Sequence, residues 1–243
     1  EGLFTDHQME TVWGMHNWPG LPAGEIAISE GASMASADHF EMTVTGRGGH
    51  AAMPHQAIDP VLAAAHIVQA LQMLVSRQSN PQDSSVLSIT TILGGSAFNV
   101  IPDEVILGGT VRAFRPETRA RLEQSLRDVS RLTAEAHNCT VALDWRKGYP
   151  PTVNHEAEAI RAADVARAVV GAARVHINPE PSMGAEDFAF MLEAKPGAYI
   201  WLGAGEAEAG RMLHNTGYDF NDEILPTGTS YWAALVESEL AAK

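Results

Sequence analysis

Two histidines stand where chemistry is done. The stretch V-W-G-M-H-N-W-P-G, residues 12–20, sets His16 at the end of a short apolar run and just ahead of a proline-glycine turn. His214 follows a second apolar run in the same way, inside G-A-G-E-A-E-A-G-R-M-L-H-N-T-G, a loop rich in glycine and acid. Neutral imidazoles carried at the ends of strands are natural ligands for a transition metal. Packing alone also accounts for a histidine at a strand end, and sequence spacing does not decide between the two.

A third histidine raises a different question. In G-R-G-G-H-A-A-M-P-H-Q, glycines 46, 48 and 49 let the backbone turn tightly and approach a ligand, and His50 follows them. The spacing to His55 is not the H-E-x-x-H helix pattern, so a metalloprotease helix is not supported. His50 is either a solvated turn residue or a group presented to a neighbouring site. Asn99 stands just before a strand and Arg112 within it. An arginine in an apolar strand must point to water or a carboxylate, and an outer-face position is the plainer reading. His7, His39, His66, His137, His155 and His176 read as packing or solvated residues. Cys139 opens the strand-like N-C-T-V-A-L-D-W and reads as a buried structural thiol.

The elements that must position these groups follow from period. H-F-E-M-T-V-T alternates Phe40, Met42 and Val44 as a strand does. Asp59 and Pro60 are suited to cap and open a helix. Val61, Ala64, Val68, Leu71 and Val75 are then expected on its inner face. S-V-L-S-I-T-T-I and D-E-V-I-L-G-G-T-V-R-A-F are strands, the second with Val105, Leu107 and Val111 on one side. Pro116 opens a second helix with a stripe of Leu122, Leu126, Val129 and Leu132. C-T-V-A-L-D-W closes the set. Strand, helix, strand, strand, helix, strand over residues 37–147 predicts a ferredoxin-like sheet carrying two helices. The flanks, 1–36 and 148–243, mix apolar strands such as G-A-Y-I-W-L-G-A-G with helices, and predict an α/β layer into which that unit is inserted.

Bulk numbers exclude several classes. The 243 residues suffice for one large domain or two small ones. Lys and Arg number 16 against 30 Asp and Glu, a net charge of −14 that disfavours nucleic acid and anionic membrane surfaces as partners. The single cysteine precludes an internal disulfide and suits a cytoplasmic location.

G-M-H-N-W-P-G through T-G-R-G-G-H-A-A-M-P-H resembles the hippurate hydrolase branch of the metal-dependent aminoacylase and carboxypeptidase family. So do G-G-S-A-F-N-V-I-P-D-E-V-I-L-G-G-T-V-R-A-F, G-Y-P-P-T-V-N, S-M-G-A-E-D-F-A-F-M-L and L-H-N-T-G-Y-D-F-N-D. The resemblance implies a catalytic α/β domain with two divalent metal ions, zinc or manganese with cobalt or nickel as further candidates. It also implies an inserted lid that forms a homodimer. It makes His16 and His214 metal ligands, His50 a catalytic lid residue that reaches the substrate carbonyl, and Asn99 and Arg112 substrate-binding residues. The implied reaction is hydrolysis of the amide of an N-acyl amino acid. The family's Cys-Gly-His-Asp and Pro-Ala-Glu-Glu strings, which supply further ligands and the general base, are not in this sequence. A chain that starts beyond the base is expected to show little activity alone. Glu186 and Asp187 in G-A-E-D-F are expected to position a loop rather than serve as the base. A dipeptidase, carboxypeptidase or deacylase of the same family, and a non-catalytic dimerisation fragment, are the competing readings.

Overall fold

Proline-opened helices and apolar strands partition the chain. The computed structural model describes residues 2–206 and 212–240. In chain order it begins with α1 (Leu3–Asp6), β1 (Val12–Pro19), β2 (Ile26–Ile28), β3 (Ala32–Met34), β4 (Asp38–Thr45) and β5 (Gly49–His50). Next come α2 (Pro60–Leu71), α3 (Met73–Ser76), β6 (Ser85–Leu93), β7 (Val100–Ile101), β8 (Glu104–Ala113), α4 (Pro116–Ala136) and β9 (Thr140–Lys147). It ends with β10 (Thr152–Val153), α5 (Glu156–Val170), β11 (Val175–Ile177), α6 (Ala189–Ala194), β12 (Gly197–Gly205) and α7 (Leu225–Glu239). Contacts divide these elements into two units. The first is Glu1–Met34, Thr152–Ser182 and Glu186–Lys243; the second is Ala35–Pro151 and Met183–Ala185. No helix among the described residues is long and apolar enough to cross a membrane.

The first unit is built on a mixed sheet of order β1-β12-β2-β11. β1 runs parallel to β12 and β12 antiparallel to β2. β12 lies inside the sheet with both faces covered, so its first seven residues are all buried and it reads as a continuous apolar run rather than an alternating one. One face packs Ile26, Ile28, Ile200 and Leu202 against Ala162, Ala166, Tyr231 and Leu235 of α5 and α7. The other gathers Val12, Met34, Tyr199 and Trp201 with Leu192 of α6.

The second unit carries a sheet of order β6-β8-β4-β9, antiparallel throughout. α2 and α4 cover one face. Phe40, Met42 and Val44 point into that core while His39, Glu41 and Thr45 are exposed, which is the alternation of a half-buried strand. Asp59 caps α2 by accepting hydrogen bonds from the N–H groups of Val61 (2.8 Å) and Leu62 (3.3 Å). The buried face of α2 is Ala63, Ala64, Ile67 and Leu71, and Val61 is 47% exposed. At 100° per residue Val61 lies well off the direction of Ile67, so the expected stripe was rotated. Leu132 of α4 is 55% exposed for the same reason. Small and polar side chains, Ser130 and Ala134, continue the buried line begun by Leu122 and Leu126. Cys139 is buried, as its context indicated.

One ion pair fixes where this sheet begins and ends. Asp38, fully buried at the start of β4, accepts two hydrogen bonds from the Arg119 guanidinium, the Nε one at 2.7 Å, and one from the Gly148 N–H at 3.0 Å. Arg119 also donates to the Gly148 carbonyl at 3.2 Å. The carboxylate thereby joins the entry of β4, helix α4 and the exit of β9. Arg119→Ala strands a buried charge and is expected to remove about 3–5 kcal/mol from the unfolding free energy in a urea titration. A loss below about 1 kcal/mol would show that the pair contributes nothing beyond geometry.

Burial sets a second dependence. The Tyr231 phenol is pushed well above its usual range by burial and then by Glu239. Tyr199 is raised by burial, by its hydrogen bond to Glu186 and by the charges of Glu186 and Asp187. Unfolded phenols ionise near pH ~10. The stabilisation from holding these two neutral is therefore complete below that pH and is lost as pH rises above it. The Tyr231 hydroxyl has no hydrogen-bond partner among the described residues. Tyr231→Phe is thus expected to change stability little at pH 7. It should flatten the alkaline limb of the stability curve by about 1.4 kcal/mol per pH unit, read from denaturation midpoints above pH 10.

Candidate active site

β1 presents His16 on the same sheet face as Gly14 and Trp18. In the parallel register His16 stands opposite Trp201, and Gly14 opposite Tyr199. A Cβ at position 14 would run into the Tyr199 ring, so glycine lets that ring lie close against the strand. Around the imidazole an aromatic floor results. Trp18 stacks on Trp201 with centroids 3.9 Å apart, and His16 meets Trp18 and Tyr199 edge-on at 6.1 and 6.5 Å. The His16 Nδ1 lies 2.6 Å from the carbonyl oxygen of Asn17. Only an Nδ1–H can make that bond, so the neutral ring carries its proton there and keeps the Nε2 lone pair free. A carbonyl fixing the tautomer in this way is what orients a metal-binding histidine.

Glu186 lies within electrostatic reach of His16. Its carboxylate accepts a 2.6 Å hydrogen bond from the Tyr199 hydroxyl and a long one from the Phe188 N–H. Burial pushes this carboxyl up. The hydrogen bonds of Tyr199, Asp187 and Phe188, with the charge of His16, outweigh it and leave the group below its ordinary range. Asp187 moves the other way, raised first by its hydrogen bond to Glu186. The contacts tie the loop before α6 to β12. Tyr199 was hidden in a run that reads only as a buried strand.

His214 is exposed and has a left-handed backbone, φ 64°. A non-glycine residue in that conformation is strained and often sits at a functional loop. Its turn is closed by hydrogen bonds from the Asn215 N–H to Met212, from the Tyr218 N–H to Asn215 and from the Gly217 N–H to the Asn215 side chain. The loop is tethered to β1, because the Asn17 amide donates to the Tyr218 hydroxyl. His214 thus belongs to a loop anchored one residue from His16. Among the described residues, no group of three or more His, Cys, Asp or Glu side chains could hold a metal. The two imidazoles suit a transition ion in their chemistry and provide two donors.

In the second unit β5 pairs antiparallel with β7, His50 opposite Val100, and the Ala51 N–H donates to the Asn99 carbonyl at 3.0 Å. The structure therefore brings His50 and Asn99 together. Gly48 is required because a Cβ there would strike the Ile101 carbonyl, and its N–H donates to the Asp103 side chain at 2.8 Å. The His50 Nδ1 accepts from the Ala52 N–H at 3.1 Å, which leaves the neutral ring's proton on Nε2. Arg112 lies on the outer face of β8, opposite Val86 of β6. It is not beside His50. Glu104 starts β8 close to the His50 turn, and eight residues of strand, about 27 Å, separate it from Arg112.

With this geometry in hand, known proteins give a consistent answer. The family model described as Peptidase family M20/M25/M40 matches residues 1–238. The chain is 37% identical over 227 residues to an N-acetylcysteine deacetylase of Bacillus subtilis, covering 93% of this chain and 58% of that protein. It is 37% identical over 235 residues to a hippurate hydrolase of Campylobacter jejuni, covering 97% and 61%. A Bacillus subtilis structure described as a dinuclear metal binding peptidase of the M20 family superposes with a TM-score of 0.78 at 31% identity, over 96% of this chain and 58% of that one. The chain thus spans less than two thirds of the length of these relatives. The chain belongs to peptidase family M20/M25/M40.

Proposed function

We propose that this chain is part of a metal-dependent amidohydrolase that cleaves the amide bond of N-acyl amino acids, with hippurate-like compounds as the first substrates to test. The observation that carries the reading is His16: its tautomer is fixed by a neighbouring carbonyl, and its Nε2 is left free in the C-terminal half of β1, beside an anchored loop that holds His214. His16 and His214 are the ligands this chain offers to a pair of divalent ions, zinc or manganese foremost. When bound, such ions polarise the amide carbonyl and provide a nucleophilic water at neutral pH. The remaining ligands and the proton acceptor are assigned to the portion of the longer relatives that this chain does not cover.

Residues 37–147 are read as a ferredoxin-like lid inserted between 1–36 and 148–243. The strand order β6-β8-β4-β9 under two helices supports this. In the reaction, water adds across the C–N bond. The acyl carbon retains the hydroxyl, and the departing nitrogen gains a proton. His50, with its proton on Nε2, donates to the carbonyl oxygen as negative charge builds there; a donor of this kind is worth about 3 kcal/mol of barrier. Arg112 pairs through two hydrogen bonds with the free carboxylate of the substrate, and Asn99 helps hold the substrate. The length of strand between His50 and Arg112 is too great for one small substrate to span. This supports a homodimer in which His50 and Asn99 serve the site of the second copy.

In the longer protein, His16→Ala or His214→Ala is expected to lower bound metal, read by elemental analysis, together with hydrolysis of hippurate, N-acetylcysteine and indoleacetyl amino acids. Unchanged metal content would remove the ligand assignment. The 243-residue chain alone should hydrolyse these compounds poorly.

His50→Ala should leave metal content intact and reduce turnover about 10²–10³-fold. Mixing His50→Ala subunits with His16→Ala subunits should restore activity, because one site of the hybrid then has both groups. If the mixture stays as inactive as its parts, His50 acts within its own chain.

A further inference from the structure

Two histidines that read as packing or solvated residues in the sequence meet in the second unit. His66 lies on the outward side of α2, whose inner face is Ala63, Ala64, Ile67 and Leu71. His137 is the residue at which α4 ends. Its N–H is bonded back to the Ala134 carbonyl at 2.9 Å, and Asn138 takes up a left-handed backbone that turns the chain away. The two helices pack side by side over the sheet. That packing places the His66 Nδ1 2.7 Å from the His137 Nε2, with ring centroids 4.6 Å apart and planes tilted by 55°.

Such a separation has few chemical solutions. Two ring nitrogens this close cannot both present lone pairs to one another, nor both present protons. Either one N–H donates to the other ring, or a cation takes the place of that proton. The tilt keeps the rings from stacking, so the nitrogens meet at their edges. A tetrahedral ion with Zn–N bonds of about 2.0–2.1 Å holds its nitrogens roughly 3.3 Å apart. The pair needs to open by well under 1 Å to admit one, and His66 is exposed and free to turn about its side-chain torsions. The backbone of each donor is held by a helix, so little order is lost on binding.

The geometry points to His66 and His137 as a surface site for a first-row divalent transition ion, bound by two imidazoles and completed by water. Nitrogen donors select copper, nickel and zinc over magnesium and calcium, which require oxygen ligands. None of the residues assigned to hydrolysis takes part, so this site stands or falls independently of the proposed activity.

The test uses the 243-residue chain carrying His16→Ala and His214→Ala, which removes the other imidazole pair. Equilibrium dialysis against Zn²⁺ should show a saturable site in this background. His66→Gln or His137→Gln should each weaken it by at least about tenfold, and the two together should do no more than either alone, because the pair binds as a unit. With Cu²⁺, electron paramagnetic resonance should show coupling to two imidazole nitrogens that disappears in either variant. Excess Mg²⁺ should not compete. Circular dichroism and the urea midpoint confirm that each variant is folded; His66→Gln, exposed on a helix, suffices by itself. Zinc uptake and copper spectrum unchanged by both substitutions would overturn the site.

Discussion

Val12 pairs with Gly197, and the parallel register then runs unbroken to Trp18 opposite Gly203. That pairing controls what the first unit can do. It puts His16 beside Trp201 and Gly14 beside Tyr199, so a floor of rings forms under the imidazole and the Tyr199 hydroxyl can reach Glu186. A slip of one residue would turn His16 to the opposite face, toward α5 and α7. The register holds because β12 is buried on both faces and its side chains fit only one way. The shift in pairing between Trp18 and Pro19 ends the strand where the proline-glycine turn begins.

The second unit relies on backbone contact in the same sense. Gly46 and Gly48 lie where any side chain would strike a neighbouring carbonyl, Ile58 for the first and Ile101 for the second. Their closeness allows the short pairing of β5 with β7 that sets His50 next to Asn99. The same loop holds the His50 Nδ1 on the Ala52 N–H, so the ring turns a donor outward. At the far end of β8, Arg112 sits on the face that the helices leave uncovered. The sheet thus works as a spacer that keeps the two proposed substrate contacts apart.

The most buried ion pair lies apart from the proposed site residues. Asp38 and Arg119 make the most buried ion pair among the described residues, and they lie where β4 and β9 enter and leave the second unit rather than at His50. Such a pair is costly to desolvate and costly to break, and its geometric effect is to fix three elements at one point. Around His16 the hydrogen bonds are single neutral ones instead, made with the Asn17 carbonyl and between Asn17 and Tyr218.

Although His16, expected at a strand end, lies inside β1, periodicity and local residue chemistry located the main strands and helices, the Asp59 cap, the buried Cys139 and the turns around His50 and His214. These are local properties: alternation, capping and turn chemistry act over a few residues. Val61 and Leu132 were placed on the wrong helix faces, because which side of a helix is buried depends on its partner and small residues such as Ser130 extend a core as well as leucine does. The Tyr199–Glu186 bond, the tether from Asn17 to Tyr218 and the meeting of His66 with His137 join residues distant in sequence, and composition carries no trace of them. The chain order thus sets what each segment is. Strand register and helix packing set which side chains face each other, since both are decided by burial shared between segments far apart along the chain.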